Sequence, residues 1–204
     1  MTKLKLTSSA FSDGGEIPRK YGYEQENVSP PLKIENIPYG TKSLTLIMDD
    51  PDAMDYVKSD GTKPYKDPYV HWVAYNIKPY KNRTEPNSPF TSSIEIFESK
   101  PTSTPPITKD EINWSYLSQF ITEQYGERFC MLGVNGWDEF AYGGPAPPDK
   151  THTYVFKLYA LKIELGRISL VTKADVEKAM EGHILDGCTI DKPNAILKGT
   201  FKKL

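Results

Sequence analysis

The sequence predicts a mostly β, antiparallel two-sheet fold. Three observations carry this. Apolar and polar residues alternate with period two in several runs, as expected of strands with one buried face. There are 17 prolines in 204 residues, and proline is excluded from helix interiors and central strand positions. Clusters of Gly, Pro, Asn and Asp separate the runs, the spacing of an antiparallel sandwich.

Taken in order, short strands are expected at Lys3–Leu6 and near Leu32–Ile34. Leu44, Leu46 and Met48 alternate with Thr45 and Asp49, while Ile47 makes the second face apolar too. That pattern predicts a strand covered on both sides. Val70 to Ile77 (VHWVAYNI) reads the same way. Between Pro79 and Pro106 the chain turns to Pro, Ser, Thr and Lys. Its length exceeds the ~4–6 residues usual for a connection inside a domain. It reads either as a linker or as a surface excursion. The resumption of β pattern afterwards favours the excursion, making residues 1–204 one domain with an insertion near 86–128.

Within the insertion, Thr108-Lys109-Asp110-Glu111 resembles a helix cap. Ile112, Tyr116, Leu117, Phe120 and Ile121 form an apolar stripe, and Gly126 is the stop. Strand pattern returns at Phe129–Val134 and in the longest run, Thr153 to Ile163 (TYVFKLYALKI), where Tyr154, Phe156, Leu158 and Ala160 share a face. Thr172-Lys173-Ala174-Asp175 opens a second helix as a capping box with Asp in place of Glu. Val176, Ala179 and Met180 keep helical spacing, Gly182 ends it, and Leu197–Phe201 closes the chain as a strand. Both helical stripes read as core packing.

Composition bounds the function. The chain is 38% hydrophobic with 13 Tyr, 8 Phe and 3 Trp, the content of a folded protein. Net charge is −2 and no long basic run appears, which argues against nucleic acid as a partner. Cys130 and Cys188 have no metal or redox spacing and read as reduced thiols of a cytoplasmic protein. The opening residues lack the apolar core of a signal peptide, and no stretch approaches ~18 apolar residues, so no transmembrane segment is expected. Three Asn-x-Ser/Thr sequons begin at Asn27, Asn82 and Asn113 and read as chance.

Three constellations hold candidate chemistry. Asp49-Asp50-Pro51-Asp52-Ala53 closes an apolar strand; its acids need solvent or partners, although Asp and Pro also make ordinary turns. His71-Trp72 opens an otherwise apolar strand, where a lone histidine is usually a hydrogen-bonded core residue. Gly143-Gly144-Pro145-Ala146-Pro147-Pro148 precedes His152-Thr153-Tyr154. Such a loop is either a stiff connection or a nest of backbone amides for an anion. If the strand ends meet, they bring His71, His152 and the Tyr154 hydroxyl together, with Asp50 or Asp52 to orient an imidazole. A site of that kind offers mostly donors and suits phosphate or carboxylate. The nearby aspartates would repel a dianion, which favours a monoanion, a protonated carboxyl, or aspartates aimed at the histidines.

In this order, Asp50-Pro51-Asp52-Ala53, His71-Trp72-Val73 and Gly144-Pro145-Ala146-Pro147-Pro148 with His152-x-Tyr154 resemble the phosphatidylethanolamine-binding protein (PEBP) family. The resemblance is to its bacterial and archaeal YbhB/YbcL-type branch, relatives of Raf kinase inhibitor protein. Leu6–Phe11, Gly22 to Pro31 and Glu181-Gly182-His183-Ile184-Leu185 resemble that branch too, so the match touches most of the chain. The resemblance implies a Greek-key two-sheet fold with a C-terminal helix, to which this chain adds an inserted helix. It also implies a pocket for phosphate-like groups such as a phospholipid headgroup, carried over to Asp50, Asp52, His71, Gly144, Pro145, Pro147, His152 and Tyr154. No cofactor is implied. The chain departs from the family in having Thr153 where Arg is common, Met54 where Pro is common, and Ala146 where the bacterial branch often has Cys. Without the arginine, anion affinity should be weaker and depend more on histidine protonation.

The reading favoured is a binding protein for a small anion or phospholipid headgroup. A regulator that binds a kinase or protease is the alternative the family suggests. An Asp/His hydrolase is the third reading; Asp, His and Tyr suit acid–base work. However, Gly-x-Ser-x-Gly, phosphate-loop and His-Glu-x-x-His signatures are absent. The insertion either shields the pocket, makes a homodimer contact, or does neither.

Overall fold

Nine strands and one α-helix make up the described part of the chain. The computed structural model describes residues 3–79, 93–96, 130–166, 168 and 171–203. The helix expected over 108–126 and most of the insertion near 86–128 lie outside the described residues.

Strands β1 (Lys5–Ser8), β3 (Leu32–Glu35) and β6 (Ser93–Ile96) form a small antiparallel sheet in the order β1-β3-β6. The larger sheet has the order β2-β9-β8-β4-β5-β7. Its members are β2 (Gly15–Glu16), β4 (Ser43–Asp50), β5 (Tyr69–Ile77), β7 (Met131–Leu132), β8 (Thr151–Leu161) and β9 (Ala195–Lys202). Within it, β8-β4-β5-β7 is the Greek-key order, the fourth strand returning beside the first.

The boundaries sit within two residues of those expected from periodicity, and the differences have local causes. β6 lies inside the Pro/Ser/Thr-rich tract read as an excursion, so that tract contributes an edge strand to the small sheet. β2 pairs parallel with β9, the one departure from antiparallel pairing among the described strands. Two residues are too few to show a period. The pair is held instead by flanking bonds, Gly14 N–H to Lys198 C=O (2.9 Å) and Ile17 N–H to Thr200 C=O (2.8 Å).

The alternation along β4 explains how the layers stack. Leu44, Leu46 and Met48 enter the core between the sheets, with Leu6 and Ile34 from the small sheet and Phe156 and Leu158 from β8. Ile47 points the opposite way, into a second core with Val73, Tyr75, Tyr159 and Leu161. Every residue of β4 is buried, as its two apolar faces predict.

The second core is roofed by helix α1 (Lys173–Met180), which contributes Val176 and Met180. Its start is a reciprocal cap: Thr172 Oγ1 accepts the Asp175 amide (3.3 Å) and Asp175 Oδ2 accepts the Thr172 amide (3.1 Å). The helix ends before Gly182, whose φ of +72° suits glycine. An ion triad fastens α1 to the sheet. Asp49 Oδ2 lies 3.0 Å from Lys157 Nζ on β8 and 2.8 Å from Lys173 Nζ on α1. Among the described residues, no helix is long and apolar enough to cross a membrane.

Candidate functional site

β4 ends in two acids whose side chains face opposite ways. Asp49 serves the ion triad, so the next carboxylate, Asp50, falls on the other face. There Pro51 opens a 3₁₀ turn, Pro51–Asp55, and Asp50 caps it, Oδ1 accepting the Ala53 amide (3.2 Å). Asp50 Oδ2 accepts from His152 Nδ1 at 2.7 Å. Asp52 reaches the same end of β8, its Oδ2 accepting the Thr153 amide at 2.7 Å. The Asp-Pro-Asp turn thus clamps the head of the longest strand.

His152 is fully buried, and its second nitrogen, Nε2, meets Asp149 Oδ1 at 2.8 Å. Two hydrogen bonds from one ring to two carboxylates need a second proton, carried by the ring or by a carboxyl. Burial raises the pKa of Asp50 above its usual value, against the pull of the His152 hydrogen bond. Both ring nitrogens of His152 are therefore committed to the protein.

His71 is also buried, at 2% exposure. Its Nδ1 lies 2.9 Å from the Gly143 carbonyl and 3.1 Å from that of Gly144. Carbonyls only accept, so Nδ1 carries the proton. In the neutral ring Nε2 is then an acceptor. Burial lowers the pKa of His71 to about 4, opposed by the two carbonyls. His71 is accordingly neutral at pH 7 and is not the cation expected to hold an anion.

Around His71 stand three ring edges, Tyr154 (5.0 Å between centroids), Trp137 (5.2 Å) and Tyr69 (5.4 Å). Tyr154 is fully buried, and its hydroxyl proton meets no acceptor among the described residues. The Ala146 backbone amide points at this oxygen as a long hydrogen-bond donor and stabilises the phenolate form. Burial, then the charge of Asp50, raises the phenol pKa, so the hydroxyl keeps its proton.

The Gly/Pro loop is positioned by its own backbone. The Gly143 amide donates to the His71 carbonyl (2.8 Å), the Gly144 amide to Asn27 Oδ1 (2.8 Å), and the Tyr23 amide to the Pro145 carbonyl (3.1 Å). Glycine is required at 144 by close approach, since a Cβ there would sit 2.1 Å from the Tyr21 carbonyl oxygen and 2.6 Å from the Tyr23 nitrogen. Both glycine amides are thus already bonded. Pro145 and Pro147, both buried, have none to offer. The loop is therefore not an open nest of amides.

At the β4–β8 end the structure bonds Asp50 to the His152 ring and Asp52 to the neighbouring Thr153 amide. It brings His71 and Tyr154 into ring contact, and the loop carbonyls onto His71. Sequence reasoning missed Asp149, Trp137, Tyr69, Tyr23 and Asn27. Asp149 alone left a signal, an acid three residues before a histidine. Trp137 stacks on Tyr23 at 4.2 Å and 4°, a contact between distant loops that no local pattern shows.

Two packed sheets, a capped helix behind the larger one and an Asp/His/Tyr cluster at the strand ends define a class of β-protein, and comparison with known proteins identifies it. The chain belongs to the phosphatidylethanolamine-binding protein family, whose model matches residues 7–191. It is 32% identical over 200 residues to a UPF0098 protein of Chlamydia muridarum, covering 98% of this chain and 99% of that one. A UPF0098 protein of Methanothermobacter thermautotrophicus is 33% identical over 182 residues, with 89% and 92% covered. Among solved structures, a PEBP homologue of Chlamydia trachomatis is 30% identical, with a TM-score of 0.67 and full coverage of both chains. Escherichia coli YbcL shares the fold at a TM-score of 0.66 and 19% identity, covering 100% of this chain and 99% of that one.

Proposed function

We propose that this protein binds a small phosphate-class anion, free or as a phospholipid headgroup, at the cluster of His71, Tyr154, His152, Asp50 and Asp52 behind the loop of Gly144, Pro145 and Pro147. The observation that carries the reading is the Tyr154 hydroxyl. A buried donor without a partner costs about 1–3 kcal/mol and is rare in native proteins. Here it stands against a histidine whose second nitrogen bonds to no described residue. A ligand oxygen accepting from Tyr154 removes the cost.

The family description names phosphatidylethanolamine, whose headgroup is a phosphodiester with that same oxygen chemistry.

The test is titration calorimetry of the native chain at pH 6 with inorganic phosphate and O-phosphoethanolamine, beside sedimentation with vesicles carrying or lacking phosphatidylethanolamine. Saturable heat that weakens at least tenfold in Tyr154→Phe supports the site. Binding to free anions but not to vesicles assigns a soluble ligand, and the converse a lipid. Native protein that binds none of them, or Tyr154→Phe that binds as well as native, defeats the reading.

A further inference from the structure

The orientation of His71 bears on which anions the site accepts. Two backbone carbonyls, Gly143 at 2.9 Å and Gly144 at 3.1 Å, hold the ring proton on Nδ1. Nε2 points away from them across the ring. A neutral imidazole with Nδ1–H therefore presents a lone pair at Nε2. An anion oxygen without a proton, brought against that lone pair, meets repulsion and forms no bond.

We infer that the His71 site selects anions that still carry a proton, such as hydrogen phosphate or a phosphomonoester monoanion, over anions of the same shape that carry none, such as sulfate. This rests on the reading above that the site takes a phosphate-class anion. Within that class it favours free phosphate or a phosphomonoester over a phosphodiester headgroup, which carries no such proton. The bound P–OH donates to His71 Nε2, and another phosphate oxygen accepts from the Tyr154 hydroxyl. One proton is then shared between ligand and ring, and no net charge is added to the protein.

The charged groups around the ring do not reverse this. From β4, Asp49 favours a proton on His71 and Asp50 acts on Tyr154. From the 3₁₀ turn, Asp52 adds negative charge near Tyr154. From β8, His152 disfavours a proton on His71. Tyr69 and Trp137 contribute ring edges. Burial outweighs the rest and keeps the ring neutral. Negative charge from these carboxyl groups, which acts at Tyr154, repels a dianion more than a monoanion. The ligand must therefore supply the proton itself.

Calorimetry on the native full chain tests this with inorganic phosphate, O-phosphoethanolamine and sulfate at matched ionic strength from pH 5 to 8. Phosphate at pH 6 should bind at least about tenfold tighter than sulfate, because a polar group left unpaired in a site built for hydrogen bonding discriminates at that level or above. Affinity should fall as pH passes the second pKa of the ligand, about 6 for a phosphomonoester. Inorganic phosphate keeps one P–OH after the same ionisation and should weaken less across that range. In His71→Gln, checked for folding by urea titration, the side-chain amide can donate to either anion, and the preference should shrink to about threefold or less.

Equal affinity for sulfate and phosphate in the native protein overturns the inference and leaves the anion site standing. A fall in affinity with pH that is the same for both phosphate ligands overturns it too, since a protein group would then be titrating. Preference for phosphate that persists in folded His71→Gln assigns it elsewhere and also overturns it. No binding of any of the three removes this inference together with the reading beneath it.

Discussion

His152 and Asp50 are joined at 2.7 Å between Nδ1 and Oδ2, both side chains buried, while the opposite nitrogen of the same ring reaches the half-exposed Asp149 at 2.8 Å. The two carboxylates are equal in distance and unequal in environment. Removing Asp50 leaves a buried imidazole facing a dry gap and frees the Ala53 amide it caps. Removing Asp149 lets water take its place. Asp50→Ala should therefore cost about 3–5 kcal/mol, and Asp149→Ala less than about 1 kcal/mol. Urea unfolding of the two variants and of native protein, at pH 7, measures the asymmetry. Equal losses would mean that the strand-end geometry, and not burial, sets the value of the pair.

His71 predicts a pH limb. Its pKa is about 4 in the fold against 6.5 for an unperturbed histidine. Below pH 6.5 the unfolded chain binds a proton that the folded chain refuses, so the stability contributed by the neutral ring is complete above 6.5 and is lost as pH falls towards 4. The loss attributable to this group is about 3 kcal/mol. Asp50, whose pKa is raised, works in the opposite sense, so the native curve alone does not isolate His71. The difference between native and His71→Gln does. Urea titrations between pH 4 and 7.5 should show the native protein losing stability faster than the variant as pH falls. Parallel curves would contradict the buried neutral ring.

At Gly144 the prediction is steric. A methyl group there meets the backbone of Tyr21, Gly22 and Tyr23 at 2.1–2.7 Å, and backbone cannot swing aside as a side chain can. Gly144→Ala should cost about 1–3 kcal/mol or more and displace the loop that holds His71. Gly166, with nothing within 4 Å of its Cβ position, is the control, and Gly166→Ala should be neutral or slightly stabilising. Thermal unfolding of both variants is sufficient. A neutral Gly144→Ala would show the loop to be pliable.

Asp49 carries a separate prediction, away from the candidate site. It neutralises Lys157 and Lys173 from a position 1% exposed. Asp49→Ala strands Lys157, leaves Lys173 with only its 3.8 Å contact to Glu177 among the described residues, and should lower stability by about 3–5 kcal/mol. Because Lys173 is the first residue of α1, hydrogen exchange of the Val176 and Met180 amides should speed up before that of β4 or β8. Uniform acceleration across the sheet would mean that the triad supports the whole domain and not the helix alone.

How much of this was legible follows from what each feature depends on. β4, β5 and β8 showed themselves because one or two buried faces impose a period of two. The Thr172–Asp175 cap showed because its partners are three residues apart. β2 did not, since a two-residue parallel pair has no period, and β6 was masked by the prolines around it. In the cluster the residue types were readable, but the allocation of hydrogen bonds was not. That the Gly143 and Gly144 amides are taken by His71 and Asn27 depends on register and loop path between distant parts of the chain, and that Asp149 turns onto the second side of His152 depends on the path of the loop before β8. The expectation of a donor-rich, cationic site failed at this point, because the carbonyls facing His71 make its free nitrogen an acceptor.

Tyr154 separates stability from binding most sharply. Its hydroxyl is sealed from solvent and unpartnered, yet its ring packs with His71 in the interior. Tyr154→Phe keeps the ring and removes only the orphaned oxygen. A hydroxyl present for structure would have a partner, and its loss would destabilise by about 1 kcal/mol. A hydroxyl held ready for a ligand is a cost in the free protein, so its removal should stabilise by up to about 1 kcal/mol while weakening phosphate binding. Paired urea unfolding and phosphate titration distinguish the cases. Higher stability with weaker binding is the expected outcome. Lower stability with unchanged binding would mean that the Ala146 amide completes a structural bond in solution and that the ligand is held elsewhere.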